Sequence, residues 1–308
     1  RSSSNYGIYL LTRSSYNSVS SNKISTNGTD SNVGIFVSGS INNVISLNNV
    51  TTYGNSSSNY GIWIRIASNN NTIFGNTIST DATHTSNHGI MIQSSSRDNN
   101  VSSNTISVSG TNTNVGIYLH MSNDNFIESN TISTLGRTSG SNYGIYFWQS
   151  SNNSVYQNNV STNGLTTNNI GIFLNANAVN SSSNNTISSN TIRTNGTSGN
   201  NGIYFNIQSN DNLITLNNIT SNGTTTSNSG IYLLTEASNN TISNNIIRTG
   251  GTSSNIGIRI VSISNNNTVY SNIINTSGTT SGNYGVYLET SSGNNVTLNN
   301  ISTYGLTG

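Results

Sequence analysis

One motif recurs through the whole 308-residue chain: Asn, any residue, Gly, Ile or Val, then usually an aromatic and an aliphatic residue. Its glycines are Gly7, Gly34, Gly61, Gly89, Gly116, Gly144, Gly171, Gly202, Gly230, Gly257 and Gly285, spaced 27 or 28 residues apart with one interval of 31. Eleven repeats therefore fill the chain. Only 6% of the residues are charged and about a fifth are Asn, a composition that would suit a disordered segment, but disorder predicts no fixed period.

Each repeat carries a second signature, Asn-x-(Ile/Val)-x-x-Asn-x-(Ile/Val), beginning at Asn17, Asn43, Asn71, Asn99, Asn125, Asn153, Asn185, Asn212, Asn240, Asn267 and Asn294. Its aliphatic positions lie five residues apart, as in Val19 with Ile24, Ile73 with Ile78, Ile187 with Ile192 and Val296 with Ile301. Three short β-prone pieces per repeat, separated by Asn, Gly, Ser and Thr, leave no room for a helix. This predicts a parallel β-helix of eleven coils forming a single domain over residues 1–308. Positions one and three after the glycine are aliphatic or Phe (Ile62 and Ile64, Ile145 and Phe147) and, at period two, face inward. Burial of about four such side chains falls well short of the entropy lost in ordering a coil, so coils must be held by their neighbours. Asn22, Asn48, Asn76 and Asn104 read as an internal amide ladder from coil to coil.

The run from Gly230 to Leu233, with Asn239 to Ile247, resembles the right-handed parallel β-helix repeats of the NosD-like and carbohydrate-binding or sugar-hydrolase group. The resemblance covers essentially the whole chain and implies a single-stranded right-handed helix. It is nearly silent on activity, because that repeat serves accessory proteins, polysaccharide lyases and hydrolases, adhesins and surface proteins. The chain departs from shorter repeats by a Thr/Ser/Gly-rich third turn, as at Thr162 to Asn168.

Several function classes are disfavoured at once. Net charge of +1 does not suit a nucleic-acid binder, and no apolar run approaches a membrane span. With no Cys there are no disulfides, thiol nucleophiles or Cys-ligated metals. Lacking a starting Met and a signal peptide, the chain reads as a mature or excised segment of an exported, extracellular or cell-surface protein. No polar cap or helix closes either end, which suggests either removed caps or copies stacked end to end.

Cleavage of a polysaccharide by β-helix relatives needs clustered acids, and here Asp98 and Asp124 share one column on adjacent coils, with Asp211 three coils further on. The plainer reading is Asp replacing Asn at a solvated corner. Glu289 and Arg65 share a column eight coils apart and form no site. The NosD-like resemblance associates His84, His88, Met91, His120 and Met121 with copper delivery, but only His84 and His88 are usefully spaced and Met91 sits in an aromatic column, so neither metal nor cofactor is expected.

The residues two after each glycine form an outward aromatic stripe: Tyr9, Phe36, Trp63, Met91, Tyr118, Tyr146, Phe173, Tyr204, Tyr232 and Tyr287, interrupted by Arg259. So much apolar surface asks for a cover: another copy of the protein, a polysaccharide, or the rings themselves. Acceptor sequences for N-glycans stand at Asn27, Asn49, Asn55, Asn70, Asn100, Asn152, Asn159, Asn180, Asn184, Asn195, Asn218, Asn222, Asn239, Asn266, Asn275, Asn295 and Asn300. Arg193, Arg248 and several of these acceptors interrupt the Thr/Ser face of the third strand and argue against ice binding. The sequence thus predicts a non-enzymatic extracellular structural glycoprotein that self-associates into a filament, sheath or surface layer. The alternative is a polysaccharide-binding or polysaccharide-cleaving β-helix that uses the stripe and the Asp98/Asp124 pair, and a minor alternative is a NosD-like copper accessory protein.

Overall fold

The computed structural model describes residues 5–29, 31–54, 58–138, 140–165, 167–177 and 179–305, without the side chains of 83–85 and 112. Among these residues every regular element is a strand, and every strand pairing is parallel. A typical coil contributes Asn142–Trp148, Ser154–Tyr156 and Asn159–Gly164. Each strand pairs in register with its counterpart one coil on, Tyr146 opposite Phe173 and Val155 opposite Ile187. The second strands make an 11-stranded sheet. The first and third strands share a 20-stranded one, because Thr77–Gln93 and Thr105–His120 each run from a third strand into the next coil's first strand. The periodicity predicts this solenoid, and the structure has it.

One apolar core runs along the axis from Val19 to Ile274, and Ile62, Ile64, Ile73 and Ile78 are at most 1% exposed. The repeat glycine also faces inward. A Cβ on Gly61 would strike Ile78 Cγ2 and lie 2.6 Å from the Gly89 carbonyl oxygen. Gly and the following Ile therefore both point into the core, so the chain bends there and strict alternation fails at this one step. Beyond the bend, Thr26, Thr52, Thr80, Thr134 and Thr162 turn buried hydroxyls without partners into the core, and Val108 fills the same column with an isostere.

Amide ladders carry the polar side of the interior. Asn104 Oδ1 accepts both the backbone N–H and the Nδ2 of Asn76 at 2.9 Å, and Asn104 Nδ2 donates to Asn130 Oδ1 and to the Ile73 carbonyl. The column expected from Asn22, Asn48, Asn76 and Asn104 is thus a hydrogen-bonded ladder. A second ladder starts each signature, as in Asn71 to Asn99, and a third uses the Asn of the glycine motif, as in Asn142 to Asn169 to Asn200. Serines add a fourth, Ser122 to Ser150 to Ser182. A buried amide with all its partners is stabilising, and with none it is costly, so these columns fix register as well as add energy.

Candidate functional site

The stripe residues stack on one another. Ring centroids are 4.7 Å apart for Tyr118 and Tyr146 at 5° between planes, and 4.9 Å apart for Tyr146 and Phe173 at 6° and for Phe173 and Tyr204 at 7°. Tyr204 and Tyr232 continue the stack at 4.9 Å and 18°. Nearer the start of the chain, Tyr9 stacks on Phe36, and Trp63 meets Phe36 edge-on. With their faces turned to each other, the rings of the stack present edges and hydroxyls to the outside, and Phe36, Met91 and Phe173 are at most 7% exposed. The cover that so much apolar surface requires is therefore supplied largely within the chain.

Part of that cover is a second outward column, which the sequence reading missed. It consists of the residue before each glycine: Tyr6, Val33, Tyr60, His88, Val115, Tyr143, Ile170, Asn201, Ser229, Ile256 and Tyr284. Tyr60 lies 4.7 Å from Trp63, and Tyr143 lies 5.1 Å from Tyr146. Carrying period two back through the glycine would place this column inside; the bend places it outside, against the stripe.

At Asn201 and Ser229 the column loses its bulk, and a groove of about 340 Å³ opens. The edges of Phe173, Tyr204 and Tyr232 form one wall. The third turns, with Ser141, Asn168, Gly199 and Ser227, form the other; Tyr143 and Arg259 stand at its two ends. From Tyr143 to Arg259 is four coil spacings, about 19 Å at ~4.8 Å each. The turn wall is braced from coil to coil: Thr197 Oγ1 donates to the Leu165 carbonyl, Thr225 Oγ1 to that of Thr197, and Thr252 Oγ1 to that of Thr224, at 2.9–3.0 Å. Burial raises the Tyr204 and Tyr232 hydroxyls above the ordinary tyrosine range, so they remain protonated donors at neutral pH. The Arg259 guanidinium lies 4.7 Å over the Tyr232 ring and 5.9 Å from that of Tyr287.

The other candidate residues lie elsewhere. Asp98 and Asp124 occupy one corner column with Asn70, Asn152, Asn184, Asp211, Asn239 and Asn266, all at φ between 55° and 59°. Asn and Asp enter that left-handed conformation more readily than other side chains, which accounts for both aspartates. His88 is buried between Tyr60 and Tyr118, while His120 lies on the far side of the Tyr118 ring. The side chain of His84 is outside the described residues. Among described residues no three His, Cys, Asp or Glu side chains converge as metal ligands. Arg65 stacks 4.9 Å over Trp63, far from Glu289. Asn55 also lies outside the described residues. Asn100 and Asn275 are half-buried, and every other glycan acceptor is exposed. Asn of the two signature ladders cannot be acceptors, because the residue two positions on is the inward aliphatic.

A family model described as a right handed beta helix region matches residues 80–247. Among solved structures, the chain is similar to the periplasmic alginate epimerase AlgG, at 15% identity over 88% of this chain and 78% of that one, with a TM-score of 0.47. It is also similar to the A-module of the mannuronan C-5 epimerase AlgE6 of Azotobacter vinelandii, at 12% identity over 91% and 90%, with a TM-score of 0.45. No curated protein sequence matches. With more than half its length matched by that model and its strands wound in register through every repeat, the chain belongs to the right-handed β-helix family.

Proposed function

We propose that this protein binds a polysaccharide, outside the cytoplasm, in the groove between Tyr143 and Arg259. The observation that carries the reading is the replacement of bulky residues by Asn201 and Ser229, which opens a long channel in a face that is filled on neighbouring coils. Its length, four coil spacings between Tyr143 and Arg259, suits an extended polymer. Hydroxyls and amides on one wall and tyrosine edges on the other match the mixed polar and apolar surface of a sugar ring. The walls are braced before a ligand arrives, which lowers the ordering cost of binding. The lateral contact in the filament reading drew on an uncovered stripe, and the rings largely cover themselves.

Affinity electrophoresis through gels containing neutral and acidic polysaccharides tests the proposal. At least one polymer should retard the protein. Asn201→Tyr, which refills the column with the residue found at Tyr6, Tyr60, Tyr143 and Tyr284, should abolish that retardation and leave the circular dichroism spectrum and thermal midpoint unchanged. Retardation by no polymer, or retardation that persists in the filled variant, defeats the proposal.

A further inference from the structure

We infer that the groove ends in an anion subsite made by Arg259, so that the glycan it selects carries a carboxylate or a sulfate group; this rests on the groove being a glycan site. Arg259 stands where every other repeat but that of Met91 places a ring, opposite Tyr232 on one coil and Tyr287 on the next. Both rings lie against its guanidinium and hold it in place. Among the described residues it is the only charged side chain lining the groove. Its Nε is buried without a hydrogen-bond partner, and no ion pair is formed by Arg259 among the described residues. The acid on the next coil, Glu289, lies one outward position further along its strand and is exposed.

A half-buried cation with an unsatisfied donor and no counter-charge is costly until an acceptor reaches it. The planar fork of a guanidinium suits a two-oxygen anion, and hydrogen bonds to charged groups are the stronger kind. A neutral polymer would leave that cation unpaired, whereas an anionic one satisfies it. The subsite therefore discriminates by charge at one end of the groove, while the ring edges and the turn residues Ser141, Asn168 and Ser227 face the rest of the glycan above the buried floor at Asn201 and Ser229.

Two matched pairs of polymers test this: polygalacturonate against its full methyl ester, and a sulfated galactan against the same galactan desulfated. The wild-type protein should bind at least one acidic member roughly tenfold more tightly than its neutral partner, and the pair showing the preference identifies the anion. Arg259→Tyr continues the ring column and so should fold; it should bind both members of that pair with the weaker affinity. Arg259→Gln should behave likewise. Equal binding of acidic and neutral members by wild type, or a preference that survives in both variants, overturns the subsite and leaves the groove standing. Binding of no polymer removes the groove itself.

Discussion

His88 occupies the column that Tyr60 and Val115 fill on the coils either side, with its ring 5.1 Å from Tyr60 and 5.2 Å from Tyr118. Its Nδ1 is buried without a partner, and burial pushes its pKa down from 6.5 to about 3. The imidazole is therefore neutral in the folded protein at physiological pH. Below pH 6.5 the unfolded chain takes up a proton that the folded chain refuses until about pH 3, so protons favour unfolding across that window. Stability from this site is complete above pH 6.5 and is lost progressively as the pH falls; burial of His120 acts in the same direction. His88→Val copies Val33 and Val115 and removes the His88 contribution. Urea midpoints of the two proteins should differ by a constant amount above pH 7 and diverge below pH 6.5 in favour of the valine variant. Curves that stay parallel down to pH 4 would refute the assignment. A sequence shows a histidine and invites a metal, whereas the neighbours that decide its chemistry come from coils 27 or more residues away.

Columns, not single strands, are the structural elements of this molecule. Asn104 illustrates their energetics, since replacing it by Ala removes four side-chain hydrogen bonds and strands the Asn76 N–H inside the protein. The expected loss is about 3–5 kcal/mol by urea denaturation. Asn22, exposed at the start of the same ladder, makes two hydrogen bonds to Asn48 and one to Ser20, and Asn22→Ala should cost only about 1 kcal/mol. Equal losses would mean that the ladder is not the source of the energy. The inward columns and the Asn22 ladder are legible in the sequence because period two and a fixed repeat suffice to place them. The third ladder and the column before the glycine are not, because both depend on the bend that turns Gly61 and Ile62 inward together. The groove escaped for the same reason. It is a gap, marked only by Asn201 and Ser229 in a column that alternation assigns to the interior.

At the scale of the whole molecule, charge contributes almost nothing to holding the solenoid together. The net charge is +1, and one ion pair, Arg137 with Asp81 at 3.0 Å, is present among the described residues, on the surface. A surface pair of that kind is worth about 0–1 kcal/mol, and the ladders that fix the coils are neutral amides and hydroxyls. Raising salt from about 0.01 M to about 1 M shortens the screening length from ~30 Å to ~3 Å. The apparent thermal midpoint in sodium chloride should move by no more than about 2 °C over that range, because the one pair among the described residues that screening weakens is small against a chain of this size. A larger fall would reveal attraction between charges that the columns do not account for. Glycan binding should respond differently to the same titration. The proposed anion subsite at Arg259 lies in a groove that salt reaches, so the proposed preference for an acidic polymer should shrink steadily while the fold is unaffected. Salt-independent unfolding together with salt-dependent release would place the molecule's working charge in the groove and leave its architecture to the ladders.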